Sequence, residues 1–298
     1  MNSPDAFAAD ACVNREPVGL DHGRPMIARI YNYFLGGSEY YDDERILCTK
    51  LLGQVPDVGF VFQSEIEFLQ RAARWIATKF KRVEQWVIAV PGLSPNFGDL
   101  LHKHVHRMNP DARIWYVDYE PVTLAVLRTL DADGGKTGPI NVVEADPLNP
   151  EAVWAGLHDQ TTPLDKDEPV CLILGGSLTY HPFSRVEAAA VAQLHIKNLP
   201  PGSFVVLTHL FEPEAPDLAA TARQLHEELH NGPLNAGSIA TREEIEAMVA
   251  GTAILQPAID ESPGVVPAYL WWRDGPALRP DPPTGQLVAA VVASIPGD

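Results

Sequence analysis

A regular alternation of short apolar runs with helical segments constrains this chain more than any other feature. Trp86–Val90 is a continuous apolar run, the pattern of a strand covered on both faces. Equivalent runs follow at Arg113–Val117, closed by Asp118, and at Ile140–Glu144, Val170–Leu174 and Ser203–Leu207. Helical spacing fills the intervals at Phe97–Met108, Pro121–Leu130, Pro150–Leu157 and Ser184–Asn198. Such alternation predicts an α/β fold: a mostly parallel sheet with helices on both faces and right-handed crossovers. Downstream, Pro216–His230 and Arg242–Ala250 read as helices, and a short strand is expected near Ile254. Gln286–Ile295 is β-branched with no helix after it, which predicts an antiparallel edge strand closing the sheet.

The segment before the first strand is different. Met26, Ile27, Ile30, Tyr33 and Phe34 recur at helical spacing, and Gly36-Gly37 ends that helix. A second helix is expected over Tyr40–Leu52, stopped by Gly53. A third is expected over Val61–Phe80, with Ile66, Leu69, Ala73 and Ile76 on one stripe. Three regions result: a flexible arm (1–23), an N-terminal helical cap (24–82) and the α/β domain (83–298).

Composition narrows the function. The 298 residues carry a formal charge of −17, a field that repels phosphate backbones and anionic lipid. Neither a nucleic acid nor a membrane is an expected partner. Cys12, Cys48 and Cys171 form no CxxC pair, so neither a metal site nor a disulfide scaffold is expected, and the location predicted is the cytoplasm. Met1–Val13 has no basic start and does not read as a signal peptide.

In an open α/β sheet, ligands bind at the carboxyl ends of the strands. Asp118 stands there after the second strand, where a carboxylate can accept both hydroxyl protons of a ribose; Ala145 and Asp146 follow the third, where an acid can accept from an adenine amino group. Asp146 also reads as a helix cap ahead of Pro150. Gly92 follows the first strand. Gly175-Gly176-Ser177 follows the fourth, either leaving room for a ligand or making a tight turn. Tyr180, His181 and His209 are the candidate acid–base groups. His102, His104 and His106 are expected on solvated surface, because i and i+2 point to different helix faces. Trp271-Trp272 is expected in the core or a pocket wall.

The segment Arg24-Pro25-Met26-Ile27-Ala28-Arg29-Ile30-Tyr31-Asn32-Tyr33-Phe34-Leu35-Gly36-Gly37 closely resembles the opening of an actinomycete-type family of S-adenosylmethionine-dependent methyltransferases, formerly a domain of unknown function. The resemblance continues through Pro110–Arg113, Tyr116–Asp118, Val143–Asp146, Pro201–Ser203 and Pro263–Pro267. It implies a class I methyltransferase (Rossmann-like) fold with a seven-stranded sheet and an antiparallel last hairpin. It implies S-adenosylmethionine as cofactor, with Asp118 at its ribose and Asp146 near its adenine, and Tyr31 and Tyr33 near the ligands beneath the N-terminal helices. The activity implied is methyl transfer to a small molecule in specialised metabolism. One stretch departs from the pattern. The family's first strand ends in Asp-Ile-Gly-Thr-Gly-Leu-Pro-Thr, whereas Ala89-Val90-Pro91-Gly92-Leu93-Ser94-Pro95-Asn96 stands here. Loss of the acid and of backbone donors predicts weakened cofactor affinity, and gain on Ala89→Asp with Pro91→Gly. The departure keeps two alternatives open: a fold reused for cyclisation, elimination or isomerisation, and a non-catalytic binding protein.

Overall fold

A computed structural model of the protein describes residues 25–89, 100–132, 140–180, 185–273 and 282–297. Five strands run parallel: β1 (Gln85–Ala89), β2 (Arg113–Asp118), β3 (Ile140–Glu144), β4 (Val170–Gly175) and β5 (Phe204–Leu210). The two-residue strands β6 (Ala253–Ile254) and β7 (Val266–Pro267) and the longer β8 (Val288–Ser294) complete an eight-stranded sheet of order β3-β2-β1-β4-β5-β8-β6 among the described residues, with β7 also paired to β8. The chain moves outward from β1 to β3 and returns to place β4 on the other side of β1. The order therefore reverses between β1 and β4, the position at which such a sheet opens a crevice at its carboxyl edge.

The sheet differs from expectation in two respects. It has eight strands rather than seven. The strand β8 is antiparallel to β5, as its composition suggested, but it is not the edge: β6 and β7 both pair with its outer side. An apolar run as continuous as Val288–Ala293 is buried throughout, and an exposed sheet edge would leave its backbone and one flank wet. The two short strands cover it.

Residues on each strand alternate between two apolar layers, as the two-residue period of a strand requires. Trp86, Ile88, Ile114, Tyr116, Ile173 and Val206 face one cluster; Val87, Trp115, Val117, Leu172, Val205 and Leu207 face the other. The first layer is covered by α1 (Ile27–Phe34), α2 (Asp42–Gln54), α3 (Gly59–Lys79), α4 (Leu101–His106) and α8 (Pro216–His230). The second is covered by α6 (Pro150–His158), α7 (Arg185–Ile196) and α9 (Arg242–Met248), while α5 (Pro121–Ala132) links β2 to β3. The N-terminal helices thus share one apolar cluster with the sheet. Trp271 is fully buried in it, edge-on to Phe68 and Trp75.

Local chemistry sets the helix boundaries. Gly36, at φ +80°, follows α1 in the left-handed conformation that glycine adopts without strain. Gly53 does not stop α2, which continues to Gln54; the chain leaves the helix at Val55 instead. Asn149 caps α6 by accepting from the Ala152 N–H at 3.2 Å. The helix expected over Phe97–Met108 is described from Leu101; Phe97 itself lies outside the described residues.

The three histidines of α4 also need correction, because all are buried rather than solvated. The helix lies against α3 and the sheet, so faces two residues apart are both covered. His102 Nδ1 is 3.0 Å from the Tyr116 hydroxyl, and burial pushes its pKa down to about 4. A histidine depressed in this way takes up its proton later than the unfolded chain does as pH falls. Its contribution to stability is present above pH 6.5 and is lost as pH falls through about 4. Replacing His102 by Phe should therefore reduce the acid sensitivity of unfolding by on the order of 2–3 kcal/mol across that window. Urea titrations of both proteins over the same pH series measure it; parallel stability curves would exclude the effect.

Candidate functional site

A cleft opens at the carboxyl ends of β2, β3 and β4. Its acidic side carries Asp118 and Glu120 after β2 and Asp146 after β3; its apolar walls include Met26, Ile27 and Ala28 from the start of α1 and Pro147 and Leu148. Gly176, Ser177 and Tyr180 form the side nearest β4, and Tyr119 is half-exposed at the cleft.

Each acid is held by the backbone around it. Asp118 is buried and its Oδ1 accepts from the Glu120 N–H at 2.7 Å. Glu120 accepts from the Thr123 N–H at 2.6 Å and pairs with Arg29 of α1 at 3.4 Å. Arg29 also pairs with Glu44 of α2 at 3.5 Å and lies over the Tyr41 ring, 4.6 Å from its centroid. Glu44 in turn accepts from the backbone N–H groups of Met26 and Tyr41, each at 2.9 Å. These charge-assisted bonds tie α1 and α2 to the end of β2. Asp146 is exposed and turns the chain by accepting from the Leu148 N–H at 2.9 Å. The capping of α6 belongs to Asn149, which leaves Asp146 at the cleft rather than at the helix end.

On the opposite side, Gly176 has φ +67°, and the Thr179 N–H donates to its carbonyl at 3.0 Å. The stretch is a tight turn, and that turn brings Gly176 and Ser177 to the cleft. Ser177 Oγ donates to the Ala89 carbonyl at 2.6 Å, joining this turn to the end of β1.

Of the residues singled out from the sequence, the structure brings together Asp118, Asp146, Ser177 and Tyr180 around one cleft. Ala145 and Gly175 lie just behind it. Ala145 N–H donates to the Asp118 carbonyl at 3.1 Å, and Gly175 pairs in register with Thr208. His209 is buried away from the lining residues, with Nδ1 2.8 Å from the Leu210 carbonyl and Nε2 3.1 Å from that of Leu178. Tyr33 packs against Phe34 and Tyr40. Tyr31 is buried and meets the cleft through Tyr180, its ring edge-on at 5.9 Å. Gly92 and His181 lie outside the described residues.

Sequence reasoning gave no role to three groups that organise this region: Arg29, Glu120 after the second strand, and Glu65. Glu65 of α3 is buried and accepts hydrogen bonds from the Tyr31 and Thr208 hydroxyls. Its signal was legible, since it stands on the same helix face as Phe62, Phe68 and Leu69.

The donor set fits an adenosyl cofactor. Asp118 at the end of β2 and Asp146 after β3 set two carboxylate acceptors on one cleft with apolar walls, groups of the kind a nucleoside's hydroxyls, amine and ring require. Among the described residues, no helix is long and apolar enough to cross a membrane.

A family model described as S-adenosyl methyltransferase matches residues 14–296. The crystal structure of a Thermobifida fusca YX protein provisionally named a methyltransferase superposes with a TM-score of 0.80 at 27% identity, covering 95% of this chain and all of that one (100%). A family protein of Streptomyces avermitilis MA-4680, classed under the domain of unknown function 574, superposes with a TM-score of 0.74 at 23% identity, covering 92% of this chain and 98% of that one. No curated protein matches the sequence.

Proposed function

Because the chain belongs to the S-adenosyl methyltransferase family, we propose that it transfers a methyl group from S-adenosylmethionine to a small-molecule acceptor in the cleft at the ends of β2–β4. The observation that carries this reading is the convergence of Asp118, Asp146 and Tyr180 on one cleft walled by Met26, Ile27 and Ala28 at the start of α1. When bound, the cofactor supplies a methyl group made electrophilic by its sulfonium. Asp118, oriented by the Glu120 N–H, would accept from the ribose hydroxyls. Asp146 would accept from the adenine amino group, with Leu148 and Ile27 lining the same cleft. Tyr180 faces the reacting space and holds the acceptor. His209, held among the Leu210 and Leu178 carbonyls and the Ser238 hydroxyl, fixes the Leu178 turn rather than acting on the ligand.

A small acceptor is supported by the charge of −17, which opposes a nucleic acid. We place the protein in the cytoplasm, where the free thiols of Cys48 and Cys171 stay reduced.

Calorimetric titration with S-adenosylmethionine, followed by transfer of its labelled methyl group to a panel of hydroxylated and aminated small molecules, tests this reading. Folded protein that binds no cofactor would overturn it. Asp118→Asn should weaken cofactor binding by about 1–3 kcal/mol, roughly 5- to 150-fold, the cost of a lost charge-assisted bond. Asp146→Asn should cost less, because its exposed carboxylate competes with water. Equal affinity in wild type and Asp118→Asn would remove Asp118 from the site.

A further inference from the structure

Behind Tyr180 runs a buried chain of hydrogen bonds that the cofactor site does not need. The Tyr180 ring stands edge-on to that of Tyr31, 5.9 Å between centroids, which sets the two phenols side by side. Tyr31 donates to one oxygen of Glu65, and Thr208 donates to the other. The Gly176 N–H donates to the Thr208 hydroxyl at 2.7 Å. Glu65, Tyr31 and Thr208 are each at most 3% exposed, so the carboxyl group is sealed from solvent on the side of the helices. Tyr180 and Gly176 line the cleft, so both ends of the chain open onto it.

The direction of the chain follows from counting protons. A phenol has one proton to give. If Tyr31 donates to Glu65, Tyr180 must donate to Tyr31, and the Tyr180 oxygen is then left to accept a proton from whatever stands in the cleft. We propose that Glu65 is the proton store of the transfer reaction, reached from the acceptor through Tyr180 and Tyr31. This rests on the reading that the cleft holds S-adenosylmethionine.

The reaction then balances. A lone pair of the acceptor forms a bond to the methyl carbon, and the carbon–sulfur bond breaks with its electron pair left on sulfur. The acceptor's proton passes to the Tyr180 oxygen, the Tyr180 proton to Tyr31, and the Tyr31 proton to Glu65. A sulfonium cation and a carboxylate anion become a neutral sulfide and a neutral carboxyl group. Two charges in a poorly solvated region disappear together, which favours transfer. Glu65 does not touch the acceptor; it is a positioning residue that acts through the two tyrosines.

The groups around the carboxyl fit this role. Tyr31 faces it from α1 and Thr208 from β5, with Tyr180 behind Tyr31. Arg29, the buried cation of α1, is committed to Glu44 and Glu120. Burial raises the pKa of Glu65 above the usual carboxylate range, against the lowering effect of its two hydroxyl donors. A protonated Glu65 donates to one of the two hydroxyls instead of accepting from both; arrival of a cation in the cleft favours the carboxylate that accepts from both, drives that proton out and readies Glu65 to receive another.

Calorimetry in buffers of different ionisation enthalpy counts the protons released on binding. S-adenosylmethionine should release more than S-adenosylhomocysteine, which lacks the sulfonium charge, and its affinity should rise with pH accordingly. Glu65→Gln should bind both with equal proton counts. Tyr31→Phe removes one donor to Glu65 and should move the release to higher pH, which keeps the test intact if Glu65→Gln fails to fold. Equal proton counts for the two ligands in the wild type, with both bound, would overturn the proton store and leave the cofactor reading standing. Absence of cofactor binding would overturn both.

Discussion

Replacing Arg29 by Met should destabilise the protein by about 3–5 kcal/mol, the cost of breaking a buried ion pair by removing one partner. Arg29 is 5% exposed and stands between Glu44 and Glu120, both buried. Met replaces the packing of the aliphatic stem but leaves two carboxylates without their cation. A fall in melting temperature on the order of 10 °C is expected. Neutralising the acids as well, in Arg29→Met with Glu44→Gln and Glu120→Gln, should restore much of the loss, because the penalty lies in the uncompensated charge rather than in the missing contact. The single variant should also bind cofactor less tightly. Glu120 lines the cleft, and its backbone N–H holds Asp118, so a displaced Glu120 disturbs the ribose site. Thermal unfolding of the three proteins, each titrated with S-adenosylmethionine, measures both effects. A wild-type melting temperature in Arg29→Met would show that the pair contributes nothing to the cap.

The parallel core was legible because its signals are local. A continuous apolar run such as Val170–Leu174 has few alternatives to a buried strand; Asp118 ends β2, and Asp146 stands two residues past β3. What the sequence hid depends on distant packing. The place of β8 inside the sheet depends on two-residue strands too short to show a period. The burial of His102, His104 and His106 depends on α3 lying over α4, which no local pattern records. Arg29 and Glu65 are each charged residues on a largely apolar helix face, and their partners lie in other elements: Glu44 in α2 and Glu120 after β2, and Tyr31 in α1 and Thr208 in β5. A buried charge is visible in a sequence as a break in an apolar stripe, but its partner is not.

Ala89→Asp should destabilise the protein by about 3 kcal/mol or more and should not improve cofactor binding, the reverse of what the family pattern suggests. The pattern places an acid at this position, and sequence comparison alone makes its restoration attractive. The structure gives the position a different environment. Ala89 is 2% exposed, and its side chain belongs to the apolar cluster that includes Val87, Val117, Leu174 and Leu178. Its carbonyl, not its side chain, meets the cleft wall, through the Ser177 hydroxyl at 2.6 Å. A carboxylate added here enters an apolar layer without a cation among the described residues of that cluster. It must either stay neutral or displace its neighbours, and both cost stability. The rest of the divergent loop, including Pro91 and Gly92, lies outside the described residues, so the prediction concerns Ala89 alone. Ala89→Ser is the control: it adds a small polar group without a charge and should lose less. Chemical denaturation and cofactor titration of both variants decide the matter. An Ala89→Asp protein as stable as wild type, with tighter binding of S-adenosylmethionine, would show that the acid's place is still open in this chain and that its loss, rather than a repacked strand end, sets the affinity.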